Sequence, residues 1–189
     1  SRKQGTLVEP RKDIFHKIES VVNAETIISS NISTLMISDL AEILKNPGRA
    51  VGIHFIEPID KTTIVEVVKG VKSTKEAHEK VMRFCQLIRK KGVCVNESPG
   101  NISTRMLIPI INEACEILLE GIATIDDIDL TMRETFGHNI GPFEMADKIG
   151  LDKILKYMEN LYAEYGESKY KASPVIKRLV RANHFGRYS

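Results

Sequence analysis

The stretch VGIHFIEPIDKTTIVEVV, residues 51–68, decides how this chain is read. Two short apolar runs rich in β-branched residues flank a proline bend, the pattern of two buried strands. Each run carries one ionisable residue, His54 in the first and Glu66 twelve positions later in the second. An imidazole and a carboxylate on neighbouring strands can form a hydrogen-bonded pair. Such a pair lets a neutral imidazole take a proton near pH 7, because the carboxylate stabilises the imidazolium that forms. The spacing alone also fits a blander arrangement, with His54 a satisfied core histidine and Glu66 on the exposed face of an edge strand.

Composition narrows the classes. The chain has 189 residues, 27 Lys plus Arg against 25 Asp plus Glu, a net charge of +2 and 42% hydrophobic residues. That length suits one or two small globular domains, each with its own core. The near balance of charge lacks the concentrated basic face of a dedicated nucleic-acid binder. Three cysteines, Cys85, Cys94 and Cys115, are odd in number and form no CxxC pair. No disulfide framework or zinc site is expected, and no metal; the usage fits a reducing, cytoplasmic location. The apolar runs are far shorter than a membrane span, and the start has no signal-peptide pattern.

Taken in order, Ser1–Gly5 reads as a polar leader, Thr6–Val8 as a short strand and Pro10 as the first turn of a helix. Ile14, Phe15, Ile18, Val21 and Val22 give that helix its apolar spacing. Thr26–Ser29 reads as a strand, Ser30–Thr34 as a polar loop, and Ile37–Leu44 as a helix stopped by Asn46-Pro47-Gly48. Strands are expected at Ala50–Phe55, Ile64–Val68 and Val93–Val95. Between the last two, Thr74–Lys91 reads as a helix capped by Ser73 or Thr74 and closed by Gly92, with Ala77, Val81, Phe84, Cys85 and Ile88 inward. This alternation predicts a mostly parallel α/β sheet. After Ser98-Pro99-Gly100 only helices are expected: 102–119, one capped by Thr124, 143–149, 151–165 and 174–182. The broad stripe of the first, from Met106 to Leu119, predicts burial on more than one side, in its own domain or against a second subunit. The expected fold is therefore α/β followed by all-α, divided into 1–97 and 98–189.

An ordered set of motifs adds to this. Ser30–Leu35 (SNISTL) is similar to SNTSSL, His54–Pro58 (HFIEP) to HFFNP, Val65–Gly70 to VEVVKG, and Pro99–Arg105 (PGNISTR) to PGFIVNR. Asn112-Glu113-Ala114, Glu120-Gly121, Asp126–Asp129, Gly141–Glu144 and Gly150-Leu151-Asp152 follow in order. Over nearly its whole length the chain resembles the L-3-hydroxyacyl-CoA dehydrogenase family, including 3-hydroxybutyryl-CoA dehydrogenases.

That resemblance implies a partial Rossmann-like parallel sheet that binds NAD, and a helical C-terminal domain for substrate and homodimer contacts. It implies interconversion of (S)-3-hydroxyacyl-CoA and 3-oxoacyl-CoA. His54 would take the proton of the 3-hydroxyl, and Glu66 would hold its other ring nitrogen. Ser33 would hydrogen-bond the reacting oxygen close to the nicotinamide; read alone, it is equally a loop-capping serine. Thr104 falls where the family has an asparagine aimed at the reacting centre. Thr6, Arg11 and Glu57 fall on positions that line the cofactor cleft. Lys45, or Arg49, would meet the phosphates of the acyl-CoA.

The chain also departs from the pattern. No GxGxxG turn, the usual pyrophosphate cradle, occurs among its 12 glycines. It therefore reads as a fragment beginning midway through the nucleotide-binding domain, and His184–Ser189 as the cut start of the family's terminal segment. Glu57 replaces the asparagine of HFFNP, Thr6 a glutamate, Arg11 a lysine, Asn101 the phenylalanine of PGF, and Tyr188 a lysine. The competing expectation is a non-catalytic fragment or degenerate paralogue acting as a helical dimerisation module.

Overall fold

A computed structural model describes residues 2–186, with side chains from Val8 onward. The chain divides after Ser103 into two compact units.

The first unit contains α1 (Arg2–Val21), β1 (Ile28–Asn31), α2 (Ile37–Ala41), a 3₁₀ turn at Pro47–Arg49, β2 (Ala50–Phe55), β3 (Ile64–Lys69), α3 (Lys75–Leu87) and β4 (Lys91–Asn96). The strands lie in the order β1-β2-β3-β4. β1 and β2 run parallel, as do β3 and β4, while β2 and β3 are antiparallel. Chain length explains the difference. The parallel pairs are joined through α2 and α3, whereas residues 56–63 are too few for a crossover and must form a hairpin connection.

Strand alternation sorts the side chains of the sheet. Val51, Ile53, Val65 and Val67 pack against Ala77, Val81 and Cys85 of α3. Ala50 and Val68 face the other way, into a cluster with Val8 and Phe15 of α1 and Ile37 and Leu40 of α2. His54 and Glu66 fall on this second face by the same period of two. Gly52 lies between Ala50 and His54 on it. A Cβ there would stand 2.6 Å from Ile32 Cδ1 and 3.0 Å from Val68 Cβ, so a larger residue would push Ile32 out of its place over the sheet.

Several local expectations are corrected. Helix α1 already covers Gly5 to Val8 and runs through Pro10, so neither the polar leader nor the short strand forms. Val8, Phe15, Ile18 and Val22 share one face that packs on β1 and α2. That burial outweighs the one intrahelical bond Pro10 cannot make. Ile14 and Val21, expected inside, point to solvent. β1 lies two residues later than expected, because Ser30 and Asn31 pair with Gly52 and Ile53. α2 stops at Ala41. Thr74 caps α3, its Oγ1 accepting the N–H of Ala77 at 3.1 Å. The helix ends at Leu87, where Arg89 takes φ 57° and the Lys90 N–H returns to the Cys85 carbonyl at 2.9 Å. Gly92 is thus in β4 instead of closing the helix, and Met82 Sδ would lie 2.7 Å from a Cβ there. Phe84 and Ile88 are exposed.

The second unit opens within α4 (Ser103–Leu119) and continues through α5 (Ile125–Phe136), α6 (Pro142–Ile149), α7 (Leu151–Tyr165), a 3₁₀ turn at Ser168–Tyr170 and α8 (Pro174–Arg181). Its core joins Ile108, Ile111 and Cys115 of α4 to Ile154, Met158 and Leu161 of α7, with Tyr170 and Ile176. Within this unit α4 buries one side only; Met106 and Leu119 are exposed. Two of the sequence motifs gain a physical role. Asp129 accepts the N–H groups of Phe143 and Glu144 at 2.8 and 3.0 Å, satisfying the first turn of α6. Asn112 donates to the Lys171 carbonyl at 3.1 Å and accepts the Ser173 N–H at 2.8 Å. No described helix is long and apolar enough to cross a membrane.

Candidate active site

His54 and Glu66 are direct register partners across the β2–β3 ladder. Opposed residues of an antiparallel pair project to the same side, so their side chains meet: His54 Nδ1 lies 2.7 Å from Glu66 Oε2. The imidazole keeps 11% of its side-chain surface exposed and the carboxylate 2%.

Glu66 is saturated with donors. Oε1 accepts the backbone N–H of Ile102 at 3.0 Å and of Ser103 at 2.7 Å. Oε2 accepts the Ser103 hydroxyl at 3.0 Å as well as His54. Burial alone would raise the Glu66 pKa, but the hydrogen bonds from His54 and Ser103 outweigh it and hold the carboxyl below its usual range. Glu66 is therefore ionised and can only accept. The proton on that contact belongs to Nδ1, which leaves Nε2 as the basic nitrogen. Nε2 has no partner among the described residues. The arrangement can accept and return a proton at Nε2, with the resulting cation stabilised through Nδ1.

Ser103 Oγ lies 3.3 Å from His54 Nδ1, so serine, histidine and glutamate are together. They do not form a nucleophilic triad. Such a triad needs the serine on the nitrogen opposite the carboxylate, and here both bind Nδ1. No base is left to take the serine proton.

The remaining sequence-derived candidates fall at different distances from this pair. Ser33 follows the carboxyl end of β1, the usual ligand side of a parallel α/β sheet. It is half-buried, its carbonyl accepts the Gly100 N–H at 2.9 Å, and its hydroxyl has no partner among the described residues. Arg11 reaches the same strand end, donating to Ser30 Oγ at 3.2 Å and the Asn31 carbonyl at 3.0 Å. Glu57 is half-buried in the loop after β2. Thr104 is buried and is the first residue of the second unit. The Thr6 side chain and Tyr188 lie outside the described residues.

Lys45 is not brought to His54. It precedes the amino end of β2, while His54 sits near the carboxyl end. Its exposed side chain leaves its N–H bound to Glu19 at 3.0 Å. Arg49, the alternative phosphate ligand, is ruled out by its partners. It is buried, paired with Glu19 at 3.0 Å, and donates to the carbonyls of Asn23 and Ala24 at 2.8 and 3.1 Å.

Sequence reading missed Ser103 entirely. Against PGFIVNR it stands where the family pattern has valine, so the signal was a hydroxyl in place of an apolar side chain. Asn101, which replaces phenylalanine, is buried at φ 47°. Its amide donates to the Ile32 carbonyl at 3.4 Å, and its Oδ1 has no partner among the described residues.

Fold and pair together define a class: an α/β unit of the dinucleotide-binding type carrying a histidine paired with a buried carboxylate. Comparison with known proteins agrees. Residues 7–98 match the family described as 3-hydroxyacyl-CoA dehydrogenase, NAD binding domain, and residues 100–189 match 3-hydroxyacyl-CoA dehydrogenase, C-terminal domain. The 3-hydroxybutyryl-CoA dehydrogenase of Clostridioides difficile is 38% identical over 177 residues, covering 94% of this chain and 63% of that protein. Human mitochondrial hydroxyacyl-coenzyme A dehydrogenase is 30% identical over 178 residues, covering 94% of this chain and 57% of that protein. The crystal structure of (S)-3-hydroxybutyryl-CoA dehydrogenase PaaH1 from Ralstonia eutropha superposes with a TM-score of 0.89 at 35% identity, covering 95% of this chain and 63% of that one. The chain belongs to the 3-hydroxyacyl-CoA dehydrogenase family, and it spans less than two thirds of the length of these relatives.

Proposed function

We propose that the protein interconverts (S)-3-hydroxyacyl-CoA and 3-oxoacyl-CoA with NAD. The observation that carries this reading is the buried carboxylate 2.7 Å from His54 Nδ1, with Nε2 free of any described partner. In oxidation, Nε2 takes the proton of the substrate hydroxyl as C3 gives up its hydride. In reduction, the imidazolium returns that proton to the new alkoxide. Glu66 stabilises the cation in both directions and keeps Nε2 the reactive nitrogen.

NAD, when bound, supplies the hydride acceptor. The residues present fit its nicotinamide end, through the unpartnered Ser33 hydroxyl beyond the carboxyl end of β1 and Arg11 against the same strand. Thr6 and Glu57 are proposed to line that side. No residue of this chain forms the glycine-rich turn for the pyrophosphate. Ser33 and Thr104 are proposed as donors to the reacting oxygen, which becomes more negative as the proton leaves. Lys45 is proposed to meet the distal phosphates of the acyl-CoA.

Residues 1–97 carry the cofactor side in this reading and 98–189 the substrate and dimerisation side. Exposed Met106, Ile122 and Phe136 of the second unit support association with a second copy, since apolar side chains of that size gain by leaving water. A cytoplasmic location accords with three unpaired cysteines.

The test is consumption of NADH with acetoacetyl-CoA by protein expressed from the complete reading frame. Turnover that requires both compounds is expected. A folded protein with no turnover on any 3-oxoacyl-CoA would instead favour the non-catalytic dimerisation module.

A further inference from the structure

We propose that Ser103 is a positioning residue for His54: its hydroxyl competes for the same carboxylate oxygen that holds the ring, and so sets how strongly the imidazolium is stabilised. This rests on His54 being the acid–base group, and goes beyond that reading by assigning the control of its basicity.

The geometry is a closed triangle. Ser103 Oγ is 3.0 Å from Glu66 Oε2 and 3.3 Å from His54 Nδ1, and Nδ1 is 2.7 Å from the same Oε2. Nδ1 carries a proton, so the hydroxyl has one acceptor in the triangle, the carboxylate, and its own proton must point there. The Nδ1–H points at the nearer oxygen, Oε2 at 2.7 Å, and Ser103 Oγ at 3.3 Å lies well off that axis. Ring and hydroxyl therefore share one carboxylate oxygen as their acceptor. An oxygen that already accepts an O–H donor is a weaker acceptor for the ring, and stabilises a cation on the ring less. The backbone N–H of Ser103 independently binds Oε1 at 2.7 Å. Substitution of the side chain therefore leaves the carboxylate anchored while removing the competition.

Where Ser103 stands, the motif that this chain resembles has valine, which offers no donor. The charged groups on the elements flanking His54 are Glu66 on β3, Arg11 against the end of β1 and Glu57 after β2, and of these the Ser103 hydroxyl touches Glu66, through Oε2.

The experiment is an NMR titration of the histidine rings in the protein and in Ser103→Ala, Ser103→Val and Ser103→Thr. Loss of the hydroxyl is expected to move the His54 titration to higher pH, with threonine restoring the parent curve. His16, His78, His138 and His184 serve as internal controls for the fold. Equal titration of His54 in all four proteins would overturn the proposal, and so would a Ser103→Thr shift as large as that of Ser103→Ala. The ring titration needs no turnover, so it stands or falls separately from the dehydrogenase reading. If both hold, the acid limb of kcat/KM for oxidation moves up by the same amount in Ser103→Ala.

Discussion

Replacing Glu66 by glutamine changes one atom and disturbs four hydrogen bonds. The amide keeps the shape of the carboxylate but offers one acceptor oxygen and one NH₂ donor. If the oxygen stays on the N–H groups of Ile102 and Ser103, the NH₂ must face His54 Nδ1. The ring then has to accept at Nδ1 and carry its proton on Nε2, where it can no longer act as a base. If the amide turns round, two backbone donors in a buried site face a third donor. Either way charge-assisted bonds, each contributing about 1.5–3 kcal/mol, are replaced by fewer neutral ones. Glu66→Gln should therefore lower the unfolding free energy at pH 7 by about 2–4 kcal/mol and kcat by about 10²–10⁴-fold through the wrong tautomer. The pH dependence carries its own sign. The folded-state pKa of Glu66 is depressed, so the unfolded chain takes up the proton first. The stabilisation is complete above the usual value of 4.5 and is lost as pH falls below it toward the folded value. Urea unfolding followed by circular dichroism from pH 7 down to about pH 3 measures this. Other carboxylates titrate in both proteins, so the difference between the two curves isolates Glu66. A variant as stable as the parent at pH 7, or one with an equally steep loss in acid, would refute the reasoning.

Three further outcomes are expected. Gly52→Ala places a methyl 2.6 Å from Ile32 Cδ1 and should cost about 1–3 kcal/mol by overpacking, read as a lower urea midpoint; an unchanged midpoint would contradict the packing. Asp129→Ala should cost about 1–2 kcal/mol by leaving the first turn of α6 without its acceptor, while the same change at the exposed Asp126 should have little effect in the same thermal melt. Burial pushes the Cys115 thiol up to about 12 and raises that of Cys85, and Cys94 is exposed. A disulfide reagent at pH 8 should then titrate one thiol in the native protein and three in urea, and fast reaction of more than one would contradict the burial.

Period and punctuation made much of this fold legible in the sequence. The alternation in 51–68 placed His54 and Glu66 on strands, and the threonines before α3 and α5 announced their caps, Thr124 accepting the Asp127 N–H at 3.2 Å. What was illegible depended on contacts far apart in the chain. Ser30 and Asn31 read as loop residues, and only pairing with Gly52 and Ile53 makes them strand. Pro10 reads as a helix start, and only the packing of Val8 and Phe15 carries the helix through it. Arg49 reads as a free cation, but carbonyls more than twenty residues away and Glu19 consume it. Ser103 meets Glu66 from 37 positions along the chain, beyond the reach of any local pattern.

In the proposed reaction His54 Nε2 accepts the proton and returns it. His54→Asn retains a donor for Glu66 in place of Nδ1–H and removes Nε2, so the most direct measurement is kcat for NADH-dependent reduction of acetoacetyl-CoA by this variant, with circular dichroism confirming its fold. A fall of about 10²–10⁴-fold with little change in KM is predicted. A folded variant that kept a tenth or more of the parent kcat would contradict it.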